Sequence, residues 1–152
     1  MSELYNTEIL RLATAIPYLG RLEVPDVSVT RTSRICGSRL IMDARVRDGL
    51  IAAMGLEVKA CALGQAATAR IAPKLIGLPV AQIRAGAEAF GAMIRDDGPV
   101  PAPPFDDLDI FLPLRDHPSR HGSVMLIFEA AMSALAQTGI SSAPADCPSG
   151  SA

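Results

Sequence analysis

The chain has no tryptophan, and aromatic residues make up only 4% of its 152 positions. Its core must therefore come from aliphatic and alanine side chains, which a hydrophobic share of 49% supplies. Neither charge sign is in excess: 14 basic and 16 acidic side chains leave a net charge of −2. That balance gives no broad basic field for nucleic acid and no polybasic membrane signal. No run of ~20 uncharged apolar residues occurs, so no segment reads as a bilayer-spanning helix. Met1-Ser2-Glu3 puts an acid where a secretory signal carries basic residues, and a cytoplasmic protein is the expectation. The length suits one domain with a single core, and there is no internal repeat. Cysteine is scarce as well. Three is an odd count, and a reducing compartment keeps such residues as thiols, so each needs a packing reason or a chemical one.

The hydrophobic periods divide the chain. Ser2 is a candidate cap for a first helix carrying Tyr5, Ile9, Leu12 and Ile16 on one stripe, ended by Pro17. From Val27 the period becomes two. Val27 and Val29, then Leu40, Met42, Ala44 and Val46, then Met54, Leu56 and Val58 alternate with mostly polar neighbours, and Asp48-Gly49 is a hairpin turn between the second and third runs. These predict three antiparallel strands. Helices are expected from Leu63 to Ile76 and from Pro79 to about Ile94. The segment from Asp96 to Asp107 is rich in proline and acid and reads as an exposed loop. A last helix after Pro118 carries Val124, Phe128, Ala131 and Leu135 and ends at Gly139. The expected fold class is α+β, with a three-stranded antiparallel sheet and helices packed on one face. The domain should span residues 1–138, with 139–152 a disordered tail of Ser, Ala, Pro and Gly.

Two thiols occupy positions where sites are commonly built. Cys36 lies between two strands, and Gly37 after it permits a sharp turn. Cys61 lies where the third strand gives way to a helix, whose positive dipole end favours a thiolate. The competing reading is that both are small buried hydrophobes, since their spacing matches no zinc-finger pattern. Cys147 falls in the tail and is read as incidental. His117 and His121 flank the start of the last helix, where an imidazole either binds metal or simply caps and solvates the helix end. Ser123, in the first turn of that helix, has no base and orienting acid at a recognisable spacing, so no enzyme activity is assigned to it.

The order of these pieces resembles the NifU-like N-terminal domain, the IscU or SufU type of iron–sulfur cluster assembly scaffold. The resemblance covers about Leu4 to Leu135. Leu22–Val29 is similar to the stretch with Asn-Pro-Asp before the first strand, and Cys36–Arg39 (CGSR) to the Cys-Gly-Asp motif. Arg47–Ile51 matches the strand hairpin, and Val58–Ala69 the segment where the second cysteine precedes a small-residue helix. Pro118–Ala130 resembles the Pro-x-Arg-x-x-Cys segment that opens the last helix.

The resemblance implies a SufE/IscU-like fold and a site at one end of the domain, where three cysteines and an aspartate hold a nascent cluster or zinc. By position, Cys36 and Cys61 are the first two cysteines, while Ser38 stands at the aspartate and Ser123 at the third cysteine. His117 or His121, both beside that last position, is a substitute third ligand. A second route to four thiolates is a homodimer in which each chain gives a Cys pair. The implied partners are a cysteine desulfurase and cluster-recipient proteins. Three functions follow: a cluster scaffold or carrier through Cys36 and Cys61, a paralogue that keeps the fold without metal and acts as an interaction partner, or an acceptor of persulfide sulfur.

Overall fold

A computed structural model describes residues 5–35 and 37–138. Ser2, Cys36, Gly139, Cys147 and the expected tail lie outside the described residues. The first helix, α1 (Thr7–Ala13), is capped by Asn6, whose side chain accepts from the Ile9 N–H at 2.9 Å. It ends before Ile16, which only packs against the margin of the core.

The sheet follows as β1 (Val27–Thr32), β2 (Arg39–Arg47) and β3 (Leu50–Lys59), antiparallel throughout and in that order. Asp48 and Gly49, both at positive φ, form the two-residue turn that closes Arg47 on Leu50. A single register irregularity falls between Arg45 and Val46. Leu40, Met42 and Ala44 of β2 turn inward beside Met54 and Leu56 of β3, and all are buried. This is the period-two face expected from the sequence.

The helices α2 (Ala62–Leu75), α3 (Val80–Arg95) and α4 (His121–Gln137) supply the rest of the core. Helix α4 lies at its centre, touching α2, α3, β1 and β2. It is apolar nearly all round, as a helix covered on several sides must be. The alanines of α2 let α4 approach closely. The core is not purely aliphatic. All four phenylalanines are buried, with Phe90 edge-on to Phe111 and Phe105 edge-on to Phe128 at ring separations of 5.8 and 5.2 Å.

The acidic, proline-rich stretch ends sooner than expected. Residues Asp106–Asp116 form a 3-10 segment that buries Leu108, Phe111 and Leu114. Their spacing of three residues matches the three-residue turn of that helix. A short 3-10 turn, Pro118–Arg120, leads into α4.

The outer face of the sheet is partly covered by the chain before β1. Tyr18 and Gly20 bond the backbone of Leu56 at 2.8 Å each. Buried Asp43 then accepts hydrogen bonds from Arg21 Nε and Nη2, at 2.7 and 2.9 Å, and from the Leu22 N–H and the Ser28 hydroxyl. These bonds, above all those from Arg21, outweigh burial and hold the Asp43 carboxyl at about 2, below the ordinary carboxylate range.

Candidate functional site

The site lies where the loop between β1 and β2 meets the first turns of α2 and α4. The loop is pinched shut by Ser33 N–H to Ser38 O and Gly37 N–H to Ser33 O, each 2.8 Å. Gly37 has φ +72° with nothing near its Cα side, so glycine is required here by backbone conformation and not by crowding. Residue 36 is part of this loop. Its thiol lies outside the described residues, so its distance to Cys61 does not enter the geometry.

Cys61 is the N-cap of α2, half-buried, and its side chain makes no capping bond. Its sulfur therefore stays available at the helix end. Sγ stands 3.7 Å from Ser123 Oγ in the first turn of α4. Ser38 donates to Ser123 Oγ at 3.1 Å. Thiol and hydroxyl can each donate or accept, so either atom can be the donor in the contact between Cys61 and Ser123. Ser38 and Ser123 are both buried, so the two hydroxyls reach each other inside the protein, 85 residues apart in the chain.

Three of the five expected site residues, Cys61, Ser38 and Ser123, are thus brought together. His121 is not turned over to the site in the same way. It is buried, and its Nε2 lies 2.6 Å from the Leu114 carbonyl. A carbonyl only accepts, so Nε2 carries the proton, and any ligand role falls to Nδ1. His117 is exposed at the start of the 3-10 turn. Among the described residues, no three of His, Cys, Asp and Glu gather closely enough to hold a metal ion.

Reading the sequence missed Gly64. A Cβ there would overlap Ser123 Oγ and crowd the Ala60 Cβ at 2.9 Å. Gly64 is what lets α4 bring Ser123 up to Cys61. A glycine three residues after a helix-opening cysteine was the available signal, because glycine inside a helix costs about 1 kcal/mol and needs a reason.

No protein-family profile matches the chain, and no curated protein matches it. Solved structures do. The N-terminal part of a nitrogen-fixing NifU-like protein from Brucella abortus is 36% identical, with 90% of this chain and 95% of that one covered and a TM-score of 0.86. A putative iron–sulfur cluster assembly scaffold protein for the SUF system from Fervidobacterium islandicum shares the fold at 18% identity, with 87% and 96% covered and a TM-score of 0.74. With identity and coverage this high to the first, and each expected strand in its expected order, the chain belongs to the NifU-like N-terminal domain family.

Proposed function

We propose that the protein is an iron–sulfur cluster assembly scaffold or carrier that takes iron and a nascent cluster as cargo on Cys36 and Cys61. The observation that supports this most is the approach of Cys61 to Ser123 and of Ser123 to Ser38, which brings residues at three of the family's four ligand positions together. The Fervidobacterium protein of the same fold is described as a scaffold of this kind.

The donor set defines how cargo is held. Thiolates bind iron strongly, and neutral hydroxyls bind it poorly. Each protomer brings two thiolates, Cys36 and Cys61, whereas clusters take about four. The same pair from a second protomer completes the set, so the loaded form is a homodimer. Ser123 stands against the Cys61 sulfur, and Gly64 keeps the room that this needs. Zinc can occupy the same four thiolates. Sulfur comes from a cysteine desulfurase, and recipient proteins take the finished cluster.

Anaerobic reconstitution with ferrous iron and sulfide tests the proposal. The wild type gains visible charge-transfer absorption, and native mass spectrometry finds one cluster per two protomers. A Cys61→Ala or Cys36→Ala variant that takes up the same cluster contradicts it.

One observation favours a second reading, a metal-free member acting as an interaction partner. Ser38 and Ser123 satisfy each other as buried hydroxyls, and His121 is engaged by Leu114. On that reading, protein purified without oxygen holds no metal and takes up none on reconstitution. A persulfide acceptor would instead gain the mass of one sulfur on a single cysteine after incubation with desulfurase and cysteine. The Cys thiolate attacks the outer sulfur of the enzyme persulfide, a new S–S bond forms, and the enzyme thiolate leaves.

A further inference from the structure

The chain is weakly acidic as a whole, yet the end that carries the site is not. No acidic residue occurs between positions 27 and 42, which include Arg31, Arg34 and Arg39. Acids are concentrated instead in the 96–116 segment. Ion pairs occupy many of the cations elsewhere, such as Arg21, Arg70 and Lys74. Among the described residues, Arg34, Arg39, Arg45, Lys59, Arg84, Arg95 and Arg120 form none, and Arg34, Arg39, Lys59 and Arg120 are the ones close in sequence to the site residues.

The sheet places two of these four. Thr32 pairs with Arg39, and Arg39 pairs with Lys59, so the last two stand opposite each other on the same outer face. Like charges directly opposite on neighbouring strands are destabilising. One carboxylate, Glu57, shares the shallow depression of about 160 Å3 between them, one row further back beside Ile41. Lys59 lies two residues before Cys61, and Arg120 three before Ser123. Arg34 is in the loop that carries Cys36. Beside it, Ile35 is 78% exposed, more than any other large hydrophobic residue described.

The geometry points to a docking surface at this rim for an acidic segment of a partner protein bearing an apolar side chain. Its carboxylates meet Arg34, Arg39 and Lys59, which relieves the repulsion across β2 and β3. Its apolar group rests on Ile35, and the contact covers the strand end that leads through Lys59 into Cys61. Charges at such a rim govern encounter rate and salt dependence, while a buried apolar anchor gives residence. Nucleic acid is the poorer fit, because duplex binders engage about 6–10 phosphates and this cluster is smaller. The surface goes beyond the scaffold reading, since a metal-free chain would present it equally.

Fluorescence anisotropy with the full chain tests this, using a labelled peptide of glutamates around a central leucine. Binding should saturate, weaken as salt rises, and fall about tenfold in Arg34→Gln/Arg39→Gln/Lys59→Gln, given the modest worth of each exposed charge. Arg34→Lys/Arg39→Lys should bind as the wild type does, which keeps the test decisive if the neutral triple variant folds poorly. Ile35→Ser should weaken binding, and Arg84→Gln/Arg95→Gln on α3 should not. Cys61→Ala should bind the peptide normally while losing any cluster, so the two proposals fail separately. Equal binding by the folded triple variant, equal loss in the α3 variant, or equally tight binding of an oligothymidylate of matched charge overturns the surface.

Discussion

Replacing Ser123 by cysteine supplies a thiolate that the donor set lacks, and the geometry says how well it fits. In a tetrahedral zinc site with Zn–S bonds of about 2.3 Å, ligand sulfurs stand roughly 3.8 Å apart. Cys61 Sγ and Ser123 Oγ are 3.7 Å apart, so the two positions already span one edge of such a site. Any side-chain atom at this place on residue 123 depends on residue 64 having no Cβ. Structural zinc sites gain about 10–16 kcal/mol from four ligands, roughly 3 kcal/mol for each. One added thiolate is therefore worth about a hundredfold in affinity. Ser123→Cys should tighten zinc binding by that order, measured anaerobically by competition with a chromophoric chelator. Adding Ser38→Asp should tighten it further. The gain must vanish in Ser123→Cys/Cys61→Ala. Unchanged affinity in the folded single variant, or a gain that survives loss of Cys61, refutes the convergence of these positions.

Gly64→Ala drives a methyl into Ser123 Oγ and should destabilise the protein by about 1–3 kcal/mol, read from the urea midpoint. Ser123→Ala removes that oxygen, so the double variant should recover part of the loss, and strict additivity would show that the two residues do not touch. Gly86→Ala would overlap the Phe105 ring, which packs on Phe128, and should lower Tm, whereas an unchanged Tm would mean that the ring moves freely aside. Asp43 titrates below its ordinary range, at about 2 in the folded chain. A depressed folded-state value stabilises above the unfolded value, so this contribution is complete near neutral pH. It disappears as pH falls from about 4 to 2, amounting to about 2 kcal/mol. Asp43→Asn should flatten the urea midpoint over that window, and a midpoint that still falls as steeply would assign the acid loss elsewhere.

The sheet was legible because its signals were local and redundant. Alternation ran through Leu40, Met42 and Ala44, and Asp48-Gly49 fixed the turn and with it the register of β2 on β3. Weaker signals were lost to competing ones. The loop reading of Asp96–Asp107 ran into the start of Asp106–Asp116, and no element was assigned to the rest of it, although Leu108, Phe111 and Leu114 repeat every third residue. The start of α1 was assigned to Ser2, yet Asn6 provides the cap four residues later. The Arg21–Asp43 clasp could not be read at all. Asp43 stands where the alternation puts an outward residue, and it is buried only because the chain before β1 folds back over that face.

The serines at 38 and 123 show the same limit at the site. In a sequence, serine at a ligand position is only a weaker ligand. In the fold these hydroxyls are buried and bonded to each other across 85 residues of chain, which a buried polar pair requires. That bond bears on function through its size. A neutral hydrogen bond contributes about 1 kcal/mol net. A thiolate ligand to zinc is worth roughly three times as much. Under the scaffold proposal, metal entering beside Cys61 would displace the bond between Ser38 and Ser123 at small cost. On the same proposal the serine pair leaves the work of holding cargo to the two thiols, so that losing either thiol should cost far more than losing either hydroxyl.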